Sequence, residues 1–321
     1  MGSYFEGAIA TLRPDEIEGV AAGLPEGQTL TNACRHLLAT KGKQLRSTIV
    51  LEAARYGPEP DSDVVRRVAT ATELLHYATL AHDDVVDDGQ MRRKITTVAA
   101  EYGHPAAAYA GGWLCARAVE LVADTEFARD AAEAACAICD GEMLEVQDLG
   151  NVARTAESYF DAIAGKTARL FSLASSLGAK ASGAPEPVVA ALTSFGHDLG
   201  MAFQISDDML DVTGGEESIG KPAGSDLRLG VFTLPVIYAM EEDPGLAPRL
   251  AEGVEDDDLA GVIDAIRATD GLERAQAHCD RHAEAAQAAL ASLESGDPGA
   301  GASLRALVDY TAARARPVGT A

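Results

Sequence analysis

The chain has 321 residues, and 47% of them are hydrophobic, so it can bury the core of one large domain or of two. Its formal net charge of −24 at pH 7 argues against a nucleic-acid-binding surface, because such surfaces need clustered lysine and arginine. Apolar stretches are interrupted by charged residues before a membrane-spanning length is reached, and no basic segment followed by an apolar core opens the sequence. We therefore expect a cytoplasmic protein without a membrane span.

Helical segments follow one another along the chain. Alanine is abundant, whereas runs of valine, isoleucine and threonine bounded by turns, as expected for strands, are missing. Short segments rich in glycine, proline and aspartate separate the helices, and none has the length or composition of a domain linker. The sequence predicts one all-α domain over residues 1–321.

The helix that is predicted in most detail starts after Ser62, its N-cap, and stops near Gly89. The pattern Asp83-Asp84-Val-Val-Asp87, the first aspartate motif, lies at its C-terminal end. Residues four apart share a helix face, so Asp83 and Asp87 point the same way. Anions at this end oppose the helix dipole unless a cation compensates.

A second aspartate motif, Asp207-Asp208-Met-Leu-Asp211, repeats the pattern and stops before Gly214. The alternative interpretation of each motif is an acidic surface that is exposed to solvent and binds no ligand. The repetition and the apolar residues inside both motifs favour metal binding instead. Carboxylate ligands suit a hard ion such as Mg²⁺, which commonly bridges to substrate phosphates. The two motifs predict a metal site that handles a diphosphate.

The cysteines do not form the spacing of a disulfide scaffold. They are odd in number: Cys34, Cys115, Cys136, Cys139 and Cys279. Cys136 and Cys139 form a single CxxC inside an alanine-rich helix, and no second pair lies nearby in the sequence. We expect these two side chains to pack in the core rather than to bind zinc or take part in redox chemistry.

Six motifs occur in a characteristic order. They are Gly42-Lys43-Gln44-Leu45-Arg46, Glu73-Leu74-Leu75-His76, the first aspartate motif with Arg92-Arg93 after it, Lys166-Thr167, Phe203-Gln204-Ile205-Ser206 before the second aspartate motif, and Gly220-Lys221-Pro222. With these motifs most of the chain resembles the trans-isoprenyl diphosphate synthases, or polyprenyl synthetases, including geranylgeranyl diphosphate synthases. The resemblance implies a bundle of long helices around a deep central cavity, and a homodimer.

The resemblance also implies the metal ligands. In this family the two aspartate motifs face each other across the cavity mouth and hold three Mg²⁺ against the diphosphate of an allylic substrate. The implied direct ligands are Asp83, Asp87 and Asp207, with Asp211 as a fourth candidate and Asp84 and Asp208 in support.

The implied reaction is head-to-tail condensation of isopentenyl diphosphate with the carbocation left when an allylic diphosphate loses pyrophosphate. The residues implied to hold the allylic diphosphate are Arg92, Lys166 and Lys221. Those implied to hold isopentenyl diphosphate, without metal, are Lys43, Arg46, His76 and Arg93. Thr167 and Gln204 are expected to offer lone pairs to the carbocation, and the departing pyrophosphate to take the proton.

Several positions depart from the family pattern. Ser47 replaces a common proline, Lys94 a glycine, Gly112 an aspartate and Val231 a lysine. The departures leave three alternatives open: a terpene cyclase, a modulatory subunit of a heteromeric synthase, and a nonenzymatic binder of prenyl diphosphate or Mg²⁺. A cyclase would be expected to have an asymmetric second motif, and a modulatory subunit to lack one motif; neither feature is present.

The residues about one turn before Asp83, Ala78 and Thr79, are small. Product length in the resembled family depends on bulk at this level, because the growing chain runs along the helix wall. These residues predict a product of about twenty carbons or more, with geranylgeranyl diphosphate as the leading candidate. Trp113 and Leu75 are the residues that could close the slot.

Overall fold

The structure is a computed structural model. It describes residues 19–20, 24, 27–40, 42, 44–92, 95–214, 223–293 and 299–314. Three predicted binding residues, Lys43, Arg93 and Lys221, lie outside the described residues, as does Lys94. Helices make up most of the described chain, so the predicted all-α class is confirmed. Among the described helices, none is both long and apolar enough to cross a membrane.

The helices are numbered here in chain order. The first eight are α1 (Thr29–Ala39), α2 (Leu45–Ala54), α3 (Asp63–Val86), α4 (Val98–Tyr102), α5 (His104–Leu121), α6 (Ala128–Gln147), α7 (Ala156–Ile163) and α8 (Arg169–Ala181). The others are α9 (Glu186–Thr213), α10 (Ser225–Leu229), α11 (Leu234–Glu242), α12 (Leu246–Ala251), α13 (Asp256–Arg267), α14 (Gly271–Ala291) and α15 (Ala302–Ala313). A π-helical turn, Ala164–Ala168, joins α7 to α8.

Contacts divide the chain into two compact units. The first comprises Met1–Cys136, Leu170–Gly196 and Ala289–Arg305. The second comprises Ala137–Arg169, His197–Ala288 and Ala306–Ala321. Each unit is made of several chain segments, so neither corresponds to a continuous stretch that a linker would set apart. A single functional domain over residues 1–321 stays a prediction.

Helix α3 is the central element of the first unit and packs against α2 and α5. Ser62 is its N-cap, as predicted, because the Ser62 hydroxyl accepts a hydrogen bond from the Val65 amide at 3.3 Å. Gly111 allows α5 to approach closely: a Cβ added there would lie 2.4 Å from His82 Nε2 and 3.1 Å from the Ala78 carbonyl oxygen. Close packing at Gly111 therefore sets α5 beside the last turns of α3.

A short hairpin follows α3. Strands β1 (Met91–Arg92) and β2 (Ile95–Thr96) pair antiparallel, with Arg92 opposite Ile95. Two-residue strands are too short to produce an alternating sequence pattern, so the sequence did not predict them. The hairpin returns the chain beside the end of α3, where the Thr97 hydroxyl donates to the Gly89 carbonyl. This turn places Arg92 beside the first aspartate motif.

The second unit has its own apolar core, to which α7, α9, α11, α13 and α14 contribute. Its buried residues include Tyr159, Ile163, Ile205, Met209, Phe232, Leu234, Ile237, Val262, Ile266 and Cys279. Because Ile205 and Met209 are four residues apart, they lie on one face of α9. That face anchors the second aspartate motif to the core.

The expectation that Cys136 and Cys139 pack in the core is wrong: both are exposed. Helix α6 instead buries Ala131, Ala134 and Ile138. These three follow the helical repeat of three to four residues, and Cys136 and Cys139, which fall outside that repeat, point away from the buried face. Within the described residues, no group of three or more His, Cys, Asp or Glu residues is arranged to hold a metal ion.

Candidate active site

The first aspartate motif occupies the last turn of α3. The Asp87 amide donates to the Asp83 carbonyl at 2.8 Å, so the helical repeat continues through the motif. Asp83 and Asp87 are partly exposed, whereas Asp84 is buried. Arg92, predicted to hold the allylic diphosphate, contacts Asp84 Oδ1 through both Nε and Nη2 at 2.8 Å. The buried carboxylate of Asp84 thereby orients Arg92 at the edge of the motif.

Arg46 and His76, two of the residues predicted to hold isopentenyl diphosphate, lie together in the first unit. Arg46 Nη1 is 3.2 Å from His76 Nε2. Since a guanidinium can only donate, His76 Nε2 accepts this hydrogen bond. Arg46 also lies over the Phe171 ring, 4.9 Å from its centroid. The ring and the imidazole orient the guanidinium, which is suited to bidentate phosphate binding.

A buried carboxylate supports this pair. Glu73 Oε2 accepts a hydrogen bond from the Ser47 amide at 3.1 Å, and Glu73 is 1% exposed. Ser47 lies in the first turn of α2, next to Arg46, and Glu73 lies one turn before His76 on α3. The bond therefore ties together the two helices that carry the pair. A proline at position 47 has no amide hydrogen and could not form it.

Lys166 and Thr167 belong to the π-helical turn between α7 and α8. Gly141 of α6 packs directly against this turn, because a Cβ added to Gly141 would lie 2.3 Å from the Lys166 backbone nitrogen. Lys166 Nζ forms ion pairs with Glu142 at 2.8 Å and with Glu145 at 2.7 Å. The two glutamates were not predicted; their spacing of three residues beside a glycine was the only sequence signal. They hold the Lys166 ammonium in place.

In the second unit, Thr167 and Gln204 are connected to Asp208 and Tyr159 by a continuous hydrogen-bond chain. The Thr167 hydroxyl donates to Gln204 Oε1 at 2.7 Å, and Gln204 Nε2 donates to Asp208 Oδ1 at 2.8 Å. The Tyr159 hydroxyl donates to Asp208 Oδ2 at 2.5 Å. Both carboxylate oxygens of Asp208 therefore have donors. We call these four residues the Asp208 chain.

Burial dominates the electrostatics of the Asp208 chain. It raises the pKa of Asp208 to about 7, although the hydrogen bonds from Tyr159 and Gln204 lower it. Burial, together with the adjacent Asp208 carboxylate, raises the pKa of Tyr159 well above its ordinary value. The Tyr159 hydroxyl consequently keeps its proton and acts as a donor.

Asp207, the first residue of the second motif, is 42% exposed at its side chain and forms an ion pair with Arg314 at 2.8 Å. Arg314 also donates to the Ser206 hydroxyl at 2.8 Å and to the Phe203 carbonyl at 2.7 Å. Sequence reasoning missed Arg314, which comes 108 positions after Ser206 and belongs to no recognisable motif.

Asp211 has a different setting from Asp207. Its carboxylate accepts hydrogen bonds from the Ser225 amide at 3.1 Å and the Asp226 amide at 3.2 Å, at the start of α10. These bonds satisfy backbone donors at a helix N-terminus, where a negative charge is favourable. These bonds hold the start of α10 against Asp211, and the assignment of Asp211 as a fourth metal ligand stays a prediction.

The carboxylates of the two aspartate motifs are suitable ligands for a divalent metal ion. Asp83, Asp87 and Asp207 are all partly exposed; the first two share a helix face, and Asp207 forms an ion pair with Arg314. Oxygen-only, acidic donors of this kind suit Mg²⁺. Asp84 and Asp208 are buried and engage Arg92, Tyr159 and Gln204 instead. Within each motif, the burial pattern separates ligand candidates from supporting carboxylates.

Two departures from the expected pattern also have defined surroundings. Gly112 lies on the exposed side of α5 in an apolar groove of about 700 Å³, and a Cβ added there would have nothing within 4 Å. Trp113 lines the same groove, together with Tyr102 and Tyr109. Val231 follows α10 and donates its amide to the Asp226 carbonyl at 2.8 Å.

Residues 27–267 match the family model described as polyprenyl synthetase. The chain is 43% identical over 262 residues to heptaprenyl diphosphate synthase component 2 of Geobacillus stearothermophilus, covering 80% of this chain and 82% of that protein. It is 35% identical over 294 residues to nonaprenyl diphosphate synthase of Mycobacterium tuberculosis, covering 89% of this chain and 87% of that protein.

Solved structures agree with the sequence relatives. Heptaprenyl diphosphate synthase from Staphylococcus aureus superposes with a TM-score of 0.88 at 29% identity, covering 97% of this chain and 99% of that one. Polyprenyl synthase from Caulobacter crescentus CB15, complexed with calcium and isoprenyl diphosphate, gives a TM-score of 0.86 at 30% identity, covering 97% and 98% of the two chains. These likenesses confirm the predicted isoprenoid synthase type of all-α fold.

Proposed function

Because the chain belongs to the polyprenyl synthetase family, we propose that this trans-prenyltransferase condenses isopentenyl diphosphate head to tail with an allylic diphosphate, using Mg²⁺. The observation that carries the proposal is the state of the residues: both aspartate motifs are complete, and Arg46 and His76 form a pair. A terpene cyclase adds no isopentenyl unit and would not need a pair that binds isopentenyl diphosphate. We also propose that the whole chain works as one cytoplasmic domain.

The allylic half of the site would use the partly exposed carboxylates of the two aspartate motifs. Asp83, Asp87 and Asp207 would hold Mg²⁺, in the number of three that the family resemblance implies. When bound, Mg²⁺ would neutralise the charge that develops on pyrophosphate as it leaves. Arg92 and Lys166 would contact the same diphosphate, and so would Lys221, which lies outside the described residues. Asp84 orients Arg92, and Glu142 and Glu145 orient Lys166.

The isopentenyl half of the site uses side chains alone. Arg46 and His76 would bind the diphosphate of isopentenyl diphosphate, assisted by Lys43 and Arg93 outside the described residues. The guanidinium of Arg46 is held by Phe171 and His76, so less conformational entropy is lost when phosphate binds. The Ser47–Glu73 bond fixes the two supporting helices.

Stabilisation of the carbocation falls to Thr167. Gln204 Oε1 already accepts the Thr167 hydroxyl hydrogen, so the Thr167 oxygen keeps lone pairs that can face an electron-poor carbon. Gln204 Oε1 has two lone pairs and accepts one hydrogen bond from Thr167, so the expectation that Gln204 also offers a lone pair stays a prediction. The departing pyrophosphate takes the proton that is lost when the new double bond forms.

We propose a product longer than geranylgeranyl diphosphate. The support comes from the sequence relatives, which are named for heptaprenyl and nonaprenyl products. Small residues near the first aspartate motif agree with a long product, because Ala78 and Thr79 add little bulk to the wall of α3. The leading candidate inferred from the sequence, geranylgeranyl diphosphate, is therefore replaced by a longer chain.

A second candidate concerns assembly. A homodimer is the arrangement that the resemblance implies, but the relative from G. stearothermophilus is named component 2 of its synthase. By that analogy the present chain would be one component of a two-component enzyme. Its complete aspartate motifs favour the catalytic role over a modulatory one.

The test is incubation of the purified chain with isopentenyl diphosphate, Mg²⁺ and allylic primers of increasing length, followed by dephosphorylation and chromatographic sizing of the products. A ladder ending beyond the geranylgeranyl alcohol supports the proposal. Hydrocarbon products without isopentenyl incorporation would replace it with a cyclase. A folded chain that binds Mg²⁺ and inorganic pyrophosphate without turnover would point to the two-component assembly, and an Asp83→Asn variant provides the inactive control.

A further inference from the structure

Tyr159 is a buried tyrosine outside every motif that the sequence singled out. It precedes Lys166 by about two helical turns, and it is 1% exposed. Its hydroxyl ends the Asp208 chain, which runs through Gln204 to Thr167. The residue therefore contacts the second aspartate motif from inside the core of the second unit.

The donors and acceptors allow only one direction for the hydrogen bonds of the Asp208 chain. A carboxylate only accepts hydrogen bonds, so the amide NH₂ of Gln204 faces Asp208 and its oxygen faces Thr167. Thr167 must then donate its hydroxyl hydrogen to Gln204. Tyr159 supplies the donor for the other carboxylate oxygen. The three hydrogen bonds therefore run from Thr167 to Gln204, from Gln204 to Asp208 and from Tyr159 to Asp208.

We propose that Tyr159 is a positioning residue for prenyl transfer, a role that rests on the function proposed above. Its hydroxyl holds Asp208 in the orientation from which Gln204 accepts from Thr167. The lone pairs of the Thr167 hydroxyl oxygen thereby point away from Gln204 and stay available to the carbocation. Tyr159 itself contacts neither substrate nor metal.

Tyr159→Phe isolates this role from packing. The ring contacts Phe160, with centroids 5.5 Å apart, and Arg154 lies 5.6 Å from its centroid; a phenylalanine ring can keep both contacts. The substitution removes only the hydroxyl. Tyr238→Phe is the matched control, because Tyr238 is also buried in the second unit and its hydroxyl bonds to His278 at 2.8 Å, outside the Asp208 chain.

The first measurement separates catalysis from binding. We expect Tyr159→Phe to lower kcat about tenfold to a hundredfold, the effect of losing one hydrogen bond to a charged group. The affinity for an unreactive allylic thiolodiphosphate with Mg²⁺, measured by calorimetry, should change less than about threefold, because Thr167 acts on the carbocation and not on the bound ground state. Tyr238→Phe should leave both quantities near wild type.

The second measurement is a double-mutant cycle with Thr167→Val. If Tyr159 acts through Thr167, its substitution in the Thr167→Val background should lower kcat less than about threefold further. Independent losses that multiply would overturn the proposal, as would equal losses of kcat and analogue affinity in Tyr159→Phe. If the wild type is active and Tyr159→Phe is equally active, the role of Tyr159 is overturned and the proposed function stands. A wild type that catalyses no prenyl transfer, either alone or with a second component, would overturn the proposed function as well.

Discussion

The guanidinium of Arg314 lies 2.8 Å from Asp207 Oδ1, at the first position of the second aspartate motif. Arg314 also lies over the Phe203 ring at 4.1 Å and donates to the Phe203 carbonyl. These contacts hold a fixed positive charge beside a carboxylate that we assign to Mg²⁺. If Asp207 binds Mg²⁺ as proposed, Arg314 and the metal ion would compete for the same carboxylate.

Arg314→Gln should tighten Mg²⁺ binding. A partly exposed ion pair contributes up to about 1 kcal/mol, so its loss should lower the Mg²⁺ concentration for half-maximal activity by up to about fivefold. A magnesium titration of initial rates measures this, with Arg129→Gln, at an exposed pair with Glu133 on α6, as the charge control. Weaker Mg²⁺ binding in Arg314→Gln would show that the arginine orients Asp207 more than it competes.

Ser47→Pro should destabilise the chain although it restores the residue common in the family. Proline is tolerated in the first turn of a helix, so the main loss is the amide hydrogen bond to buried Glu73. We expect the free energy of unfolding to fall by about 1–3 kcal/mol and the KM for isopentenyl diphosphate to rise. Urea denaturation and initial rates measure the two effects.

Ser47→Ala is the matched control, because it keeps the amide donor and removes only the hydroxyl that bonds to the Gln44 carbonyl at 2.9 Å. If alanine and proline at position 47 cost the same stability and raise KM equally, the Ser47–Glu73 bond has no special role.

Gly141→Ala should disturb the π-helical turn. The added Cβ would lie 2.3 Å from the Lys166 nitrogen and 2.8 Å from the Ala162 carbonyl oxygen, and neither backbone atom can move without shifting the turn. We expect a loss of about 1–3 kcal/mol in stability and a weaker affinity for the allylic substrate. Thermal unfolding and KM measure these changes.

Gly112→Ala provides the comparison, because its Cβ would meet nothing within 4 Å. Alanine is favoured over glycine inside a helix by about 0.5–1 kcal/mol, so this variant should be slightly more stable than wild type. A Gly141→Ala protein with wild-type stability would mean that α6 can move away from the turn at little cost.

His278 should make stability depend on pH. Burial, with Arg281 as the next cause, lowers its pKa to about 4, against about 6.5 in an unfolded chain. Between these values the unfolded chain binds more protons, so stability is fully present above about pH 6.5 and falls as the pH drops towards 4. His278→Gln should therefore lose less stability between pH 7 and pH 5 than wild type.

Urea denaturation at the two pH values measures the difference, and His197→Gln, at an exposed histidine of α9, serves as the control. An identical pH-dependent loss in His278→Gln and wild type would assign the effect to other groups.

Ala78→Phe should shorten the product. Ala78 is 4% exposed, and its carbonyl lies beside Gly111 of α5, so a phenylalanine there adds bulk where the two helices are close. Chromatography of the dephosphorylated products measures chain length, and Ala69→Phe, about two and a half turns earlier on α3, tests whether the effect depends on position. An unchanged product distribution would remove Ala78 from the wall of the elongation cavity.

The sequence alone determined the features that depend on neighbouring residues. Ser62 caps α3 as predicted, and both aspartate motifs lie at helix ends, because capping and helical periodicity are local properties. The ordered motifs sufficed for the family. Tertiary packing decided which side chains are hydrogen-bonded to each other. Arg46 bonds to His76, which comes 30 positions later, and Tyr159 bonds to Asp208, which comes 49 positions later.

Only the tertiary structure could distinguish the two kinds of aspartate. Asp207 and Asp208 are adjacent residues of the same type, but Asp207 is partly exposed beside Arg314, whereas Asp208 is buried with Tyr159 and Gln204. Burial depends on which helix face meets the core, and the pKa of Asp208 follows from that burial. The side chains that complete each site come from distant parts of the chain, and no local sequence pattern predicts contacts between such distant residues.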